Sequence, residues 1–293
     1  MPTMTPCHIK FWGVRGSVPT PGPATVRYGG NTSCVEVRAD GQIVILDAGT
    51  GIRPLGLELA REFNEAPIRI TLLITHTHWD HIQGFPFFLP AYQSKNTIHV
   101  LGFEGARQGL AGTLAGQMES PYFPIALKEM PGNVVIEELQ SSQFQIGPIR
   151  ASAIPVNHPG IAVGYRLATS VGTIAYLPDN EPFHEKQNGY PRDSVDLQNR
   201  QLIEFIRQAD ILIIDSQYDS DEYSTHIGWG HGCVDEVVRL AILGEVKSLY
   251  LFHHDPSHDD ARIDAMLTYA RDLAKATPLQ VYAATEGEVV TLD

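Results

Sequence analysis

His76-Thr77-His78-Trp79-Asp80-His81 places three imidazoles and a carboxylate in six consecutive positions. Imidazole nitrogen and carboxylate oxygen are donors for divalent transition metals, and a histidine kept for packing has no reason to arrive with three further donors beside it. His76 and His78 stand two positions apart while Asp80 and His81 are adjacent, so one loop can address two neighbouring ion positions. A two-ion site also needs donors from elsewhere and one group shared between the ions.

The elements that would position such a loop surround it. Residues 68–74, Ile-Arg-Ile-Thr-Leu-Leu-Ile, form a strand-like run that delivers its C-terminal end into the loop. Three further donors follow strand-like runs in the same way: His158 after residues 151–157, Asp179 after 174–178 and His253 after 248–252. Loops at one sheet edge, held by a rigid scaffold, can bring such side chains into one cleft.

The rest of the chain supplies strands in two batches. The first is expected at 8–14, 34–38, 42–46, 68–75 and 97–101, with a hairpin turn at Asp40-Gly41 and a helix at 54–64. The second is expected at 134–139, 144–146, 149–155, 162–168 and 173–177, then 211–214, 248–252, 279–283 and 289–292, with helices at 105–118, 197–208, 234–243 and 262–275. Residues 216–232 read as a long loop, and the proline-punctuated stretch 120–131 as a cover for the site. Two batches of strands with helices between and after them suit two sheets packed face to face, with helices outside. No short-period repeat or linker divides the chain, so residues 1–293 are expected to form one domain.

Composition narrows the function. The formal charge of −13 comes with no cluster of Lys and Arg, which argues against gripping a long nucleic acid through its phosphates. Three scattered cysteines make no disulfide framework and are expected to be reduced core residues. No apolar run is long enough for a membrane span, and Met1 to His8 lack the basic and apolar regions of a leader, so a cytoplasmic protein is expected.

Taken together, His76, His78, Asp80, His81, His158, Asp179 and His253 resemble the seven metal ligands of the metallo-β-lactamase superfamily, in its dinuclear hydrolase branch. The resemblance covers nearly the whole chain and implies a four-layer αββα sandwich with the metals at one edge of the two sheets. By position it implies that His76, His78 and His158 hold one ion, that Asp80, His81 and His253 hold the other, and that Asp179 bridges them. Ile213-Ile214-Asp215-Ser216, Gly230-His231-Gly232 and Leu251-Phe252-His253 are similar to the late motifs of ribonuclease Z and related phosphodiesterases. That similarity implies that Asp215 orients His231 and that His231 acts on the leaving oxygen.

The implied cofactors are two divalent ions, Zn²⁺ first, with Mn²⁺ or Fe²⁺ accepted by the same donors. Such ions can share a hydroxide and neutralise phosphodiester oxygens. The expected reaction is therefore hydrolysis of a small, in some cases cyclic, phosphodiester. Residues 158–179 leave room only for a strand pair where ribonuclease Z usually inserts a basic arm for tRNA, which disfavours a tRNA-processing endonuclease. A lactonase or other carboxylic-ester hydrolase on the same site is the alternative, followed by a non-catalytic binding protein. A homodimer is the ordinary expectation for a soluble enzyme.

Other readings stay open at this level. Asp47 is either an acceptor for a metal-bound histidine or a turn residue. Arg15 and Asn31 either meet substrate phosphate or serve the surface. His226, His254, Asp255 and His258 are candidates for lining the site. Ser257 and Asp260 have capping-box spacing for the last helix, which makes Asp260 structural. Trp79, Phe85, Phe87, Tyr122, Phe123 and Trp229 form either an aromatic wall or core.

Overall fold

The computed structural model describes residues 6–103, 108–183 and 192–293, with the backbone alone at 192–196. The first batch of strands is β1 (Cys7–Gly13), β2 (Cys34–Ala39), β3 (Gln42–Leu46), β4 (Arg69–Ile74), β5 (Thr97–Gly102) and β6 (Asn133–Glu138). The second is β7 (Gln143–Ile146), β8 (Ile149–Pro155), β9 (Val163–Ala168), β10 (Thr173–Leu177), β11 (Ile211–Asp215), β12 (Ser248–Phe252), β13 (Gln280–Ala283) and β14 (Val289–Leu292). They make two seven-stranded sheets, in the orders β14-β1-β2-β3-β4-β5-β6 and β13-β12-β11-β10-β9-β8-β7. The chain therefore builds one sheet, then the other, and returns its last strand to the first.

Period-two alternation explains why the sheets must stack. In β11, Ile211 and Ile213 face the central core while Leu212 and Ile214 face outward; in β12, Tyr250 and Phe252 face in while Leu249 and Leu251 face out. In β4 the assignment reverses, with Leu73 inward and Ile70, Leu72 and Ile74 outward. A strand apolar on both faces needs cover on both. The outward residues of the first sheet are covered by α1 (Ile52–Phe63) and a later helix, α3 (Gly109–Gly116); between them lies the short α2 (Trp79–Ile82) of the histidine loop. Those of the second sheet are covered by α4 (Arg192–Ile206), α6 (Val234–Leu243) and α7 (Asp260–Ala274), and a short α5 (Ser220–Tyr223) lies in the preceding loop. The result is the expected four-layer αββα sandwich.

Local signals hold at the hairpin, where Asp40 and Gly41 both have positive φ, 52° and 74°, as a two-residue turn of primed type requires. Others are corrected. Residues 216–232 are not all loop, because Asp219 caps α5 by accepting from the Asp221 and Glu222 amides. The cap of α7 is Asp259, which accepts from the Arg262 amide at 2.8 Å, while Ser257 turns back onto Asp255. Asp260 is structural for a different reason: its carboxylate accepts the amides of Arg27 and Tyr28 and so pins the long N-terminal loop to α7. The helix expected at 105–118 starts at Gly109 in the structure; 105–107 lie outside the described residues. Among the described residues, no helix is long and apolar enough to cross a membrane.

Arg15 follows β1 and is fully buried, not solvated. Its guanidinium donates to the carbonyls of Gly29, Asp255 and His258 at 2.8, 3.0 and 2.6 Å, which staples two loops together and removes it from any role at a phosphate. Arg15→Met leaves those carbonyls without a donor. At about 1–3 kcal/mol for each buried group left unpaired, the variant should unfold at clearly lower urea concentration than the wild type.

Candidate metal centre

The candidate donors meet because their strands run the same way. β8, β10, β11 and β12 point their C-terminal ends to one edge: β10, β11 and β12 are parallel, and β9 is antiparallel to both β8 and β10. His158, Asp179, Asp215 and His253 sit at those ends. β4 of the facing sheet delivers its end there too, tied across by the Tyr165 hydroxyl on the Ile74 carbonyl at 2.7 Å and by the Val163 amide on the Thr75 carbonyl at 3.1 Å. Beyond Thr75 the chain turns at His78 into α2, which carries Asp80 and His81 inward, both buried.

Four overlapping groups of donors result; two of them place His231 with His158 and Asp179 and with Asp215 and His253, and the other two share no residue. His76, His78 and His158 form one; Asp80, His81, Asp179 and His253 form the other; within each, the donor atoms lie within 4.8 Å of one another. Asp179 stands between them. Its Oδ1 is 2.9 Å from His81 Nε2 and 3.3 Å from His253 Nε2, and its Oδ2 is 3.7 Å from His76 Nε2 and 3.6 Å from His158 Nε2.

The ring tautomers make the arrangement diagnostic. His81 gives its Nδ1 hydrogen to Asp47 at 2.8 Å, His158 to the Gly230 carbonyl at 2.8 Å and His253 to Gln217 Oε1 at 3.1 Å. A neutral ring so committed turns the lone pair of Nε2 towards the others and towards the carboxylate oxygens. Lone pair against lone pair at about 3 Å is repulsive unless a proton or a cation lies between them. Nε2 of His76 is moreover buried with no hydrogen-bond partner. Among the described residues, the ion-pair partners of Asp80 and Asp179 are all histidines, with no Lys or Arg. Buried donors of this kind, short of positive charge, fit divalent ions.

The electrostatics agree. Burial opposes charge on His81, yet Asp179, Asp80 and Asp47 hold its pKa well above the ordinary value, a proton filling the place of a cation. Burial dominates at His76 and His158, which are held below it. Burial also opposes ionisation of Asp179, but His253, His81 and His76 keep its carboxyl well below the usual range.

A family model for the Beta-lactamase superfamily domain matches residues 42–254, which is most of the chain and includes this whole cluster. The chain belongs to the beta-lactamase superfamily. It has the metallo-β-lactamase fold, which implies divalent ions at the His/Asp cluster, and it is a metal-dependent hydrolase of that superfamily. It is similar to Ribonuclease Z of Haloarcula marismortui, 28% identical, over 97% of this chain and 93% of that protein. The fold matches the metallo-beta-lactamase fold protein YhfI from Bacillus subtilis with a TM-score of 0.69 at 16% identity, covering 98% of this chain and 100% of the other. It matches human tRNase Z, short form, with a TM-score of 0.66 at 19% identity, covering 98% and 99%.

Beside the cluster, Asp215 is buried at the end of β11 and accepts from His231 Nδ1 at 2.9 Å, and the same nitrogen is 3.9 Å from Asp179 Oδ2. Burial disfavours the imidazolium, but Asp215 outweighs it, with help from Asp179 and Asp80, and His231 is raised to about 9. His226, a candidate from the same loop, points its Nδ1 at the Glu222 carbonyl and stacks on Tyr218.

Asp47 is resolved by its partners. At positive φ, 61°, it accepts from Thr75, Tyr176 and His81 together, so it is both turn residue and orienting acceptor. Asn31 is tied to Glu286 and His254 to the Ala284 carbonyl, both away from the cluster. Phe85 is core, whereas Trp79, Phe87, Tyr122 and Trp229 are exposed. The stretch 120–131 meets the turn after α2 through the Phe87–Phe123 ring contact.

Sequence reasoning missed Glu181 and Gln217. Buried Glu181 accepts the amides of Gly228 and Gly230, both at 2.8 Å, which fixes the backbone that presents His231 and the carbonyl facing His158. Gln217 spans from Asp255 Oδ2 to His253 Nδ1. Their partners are far away in the chain, so no local spacing marks them. Two glycines are required by close approach, because a Cβ on Gly16 would lie 2.4 Å from the His253 ring and one on Gly230 2.4 Å from that of His158.

Proposed function

We propose that residues 1–293 form one dinuclear phosphodiesterase domain that hydrolyses a small phosphodiester, cyclic ones included, with Zn²⁺ as the metal. In this reading His76, His78 and His158 hold one ion, Asp80, His81 and His253 the other, and Asp179 is shared. Bound divalent ions supply water of lowered pKa and neutralise the non-bridging phosphate oxygens. The chain's own residues do the rest. Asp47, the Gly230 carbonyl and Gln217 hold three rings in the tautomer that turns Nε2 inward. Asp215 accepts from His231 Nδ1, which leaves Nε2–H of the imidazolium to give its proton to the leaving oxygen as the ester bond breaks.

The observation that carries the reading is the Asp215–His231 pair set against the shared carboxylate Asp179. It provides an acid for an alkoxide leaving group next to a site suited to phosphate charge. The resemblance to Ribonuclease Z supports phosphodiester chemistry. A small substrate is supported by the net charge of −13 and by the short β9–β10 pair between His158 and Asp179. The test is turnover of bis-p-nitrophenyl phosphate, 3′,5′-cyclic AMP and a lactone side by side. Metal-dependent cleavage of the diesters is expected. Lactone turnover without diester turnover would replace this reading by the carboxylic-ester one.

A further inference from the structure

A cavity of about 280 Å³ opens beside His231, and Tyr218, His226 and Trp229 line it together with Glu222 and Asp255. The rings are organised. His226 stacks on Tyr218 at 4.5 Å between centroids with 21° between planes, and Trp229 stands edge-on to His226 at 4.7 Å. Tyr218 is buried, while Trp229 is 59% exposed and makes the rim. The carboxylates of the lining are already engaged: Glu222 pairs with His258 and Arg262, and Asp255 accepts from Gln217 and Ser257. No Lys or Arg lines the cavity.

We propose that this cavity is a specificity pocket for the nucleobase on the leaving-group side of the substrate, with the exposed face of Trp229 as its stacking platform. The inference rests on the phosphodiesterase reading for its orientation, since the pocket starts at the proposed acid. Aromatic walls suit a planar ring, and base stacking on a single aromatic side chain changes affinity by roughly 5- to 150-fold. With His231 given to the reacting ester and no Lys or Arg in its lining, the pocket has no further cation for a second phosphate, and its volume lies near the lower bound for small-ligand sites. The group it takes is therefore one uncharged base of a mononucleotide, not the continuing chain of an RNA.

The experiment is calorimetric titration of the metal-loaded protein with AMP and with ribose 5-phosphate, which lacks the base, in parallel with diester turnover by the same preparation. AMP should bind at least about tenfold more tightly. In Trp229→Ala the ratio should fall to near one, with Trp229→Phe restoring most of it; the exposed position makes misfolding of either variant no obstacle. Equal affinities in the wild type, or a preference for AMP that survives Trp229→Ala, would overturn the pocket. Diester turnover with no preference for AMP would remove the pocket and leave the phosphodiesterase reading standing, whereas a Trp229-dependent preference without diester turnover would uphold the base pocket and remove that reading.

Discussion

His231→Ala lowers kcat for 3′,5′-cyclic AMP by about 10²–10⁴-fold, the range for loss of a positioned general acid, and lowers it far less for bis-p-nitrophenyl phosphate. The difference follows from the leaving group. An alkoxide needs a proton as the bond breaks, whereas p-nitrophenolate is stable enough to leave without one. His231 contacts Asp215 and approaches Asp179 only at 3.9 Å, so metal content should stay at the wild-type level. Steady-state kinetics on both substrates, with metal analysis of the same samples, checks this. Equal losses on both substrates would remove the proton-donor role, and loss of metal would make His231 a ligand instead.

Asp179→Ala has the broader effect. The Asp179 carboxylate lies within 4 Å of histidines from both donor groups. Its removal takes charge from both at once, and diester turnover should fall by on the order of 10³-fold or more, the several kcal/mol that metal ions contribute to charge stabilisation. The thermal readout is independent of turnover. Ions that bind the folded chain and not the unfolded one raise the wild-type unfolding temperature, and this gain should be largely absent in Asp179→Ala. A variant that keeps both ions and the full thermal gain would show that Asp179 is not shared.

Much of this architecture was legible in the sequence because two physical signals coincide. Strand-length apolar runs such as residues 211–214 and 248–252 mark strands covered on both faces, and each ends in a polar residue that no core would accept unpaired. That is why Asp215 and His253 stand out. Asp40-Gly41 was readable because its backbone conformation is nearly specific to such residues.

The failures have one cause in common: the deciding partner is distant in the chain. Arg15 looks solvated in a Pro/Gly-rich loop, but the carbonyls of Asp255 and His258 draw it into the interior. Ser257 and Asp260 match a capping-box spacing, yet Asp259 caps the helix and Asp260 holds the amides of Arg27 and Tyr28. Glu181 and Gln217 carry no signal at all, since the groups they hold become neighbours only when β10, β11 and β12 align. The loop from His76 to His81 announced metal by itself; the rings' outside hydrogen bonds, invisible in sequence, are what turn its donors inward.

The account stands most directly on one measurement: bound metal per chain and 3′,5′-cyclic AMP turnover of a single preparation before chelation, after chelation and after Zn²⁺ is restored. Two ions per chain are predicted, with turnover lost on chelation and regained only as the second ion returns. Turnover that persists in the metal-free protein, or that is complete with one ion per chain, would contradict the dinuclear phosphodiesterase.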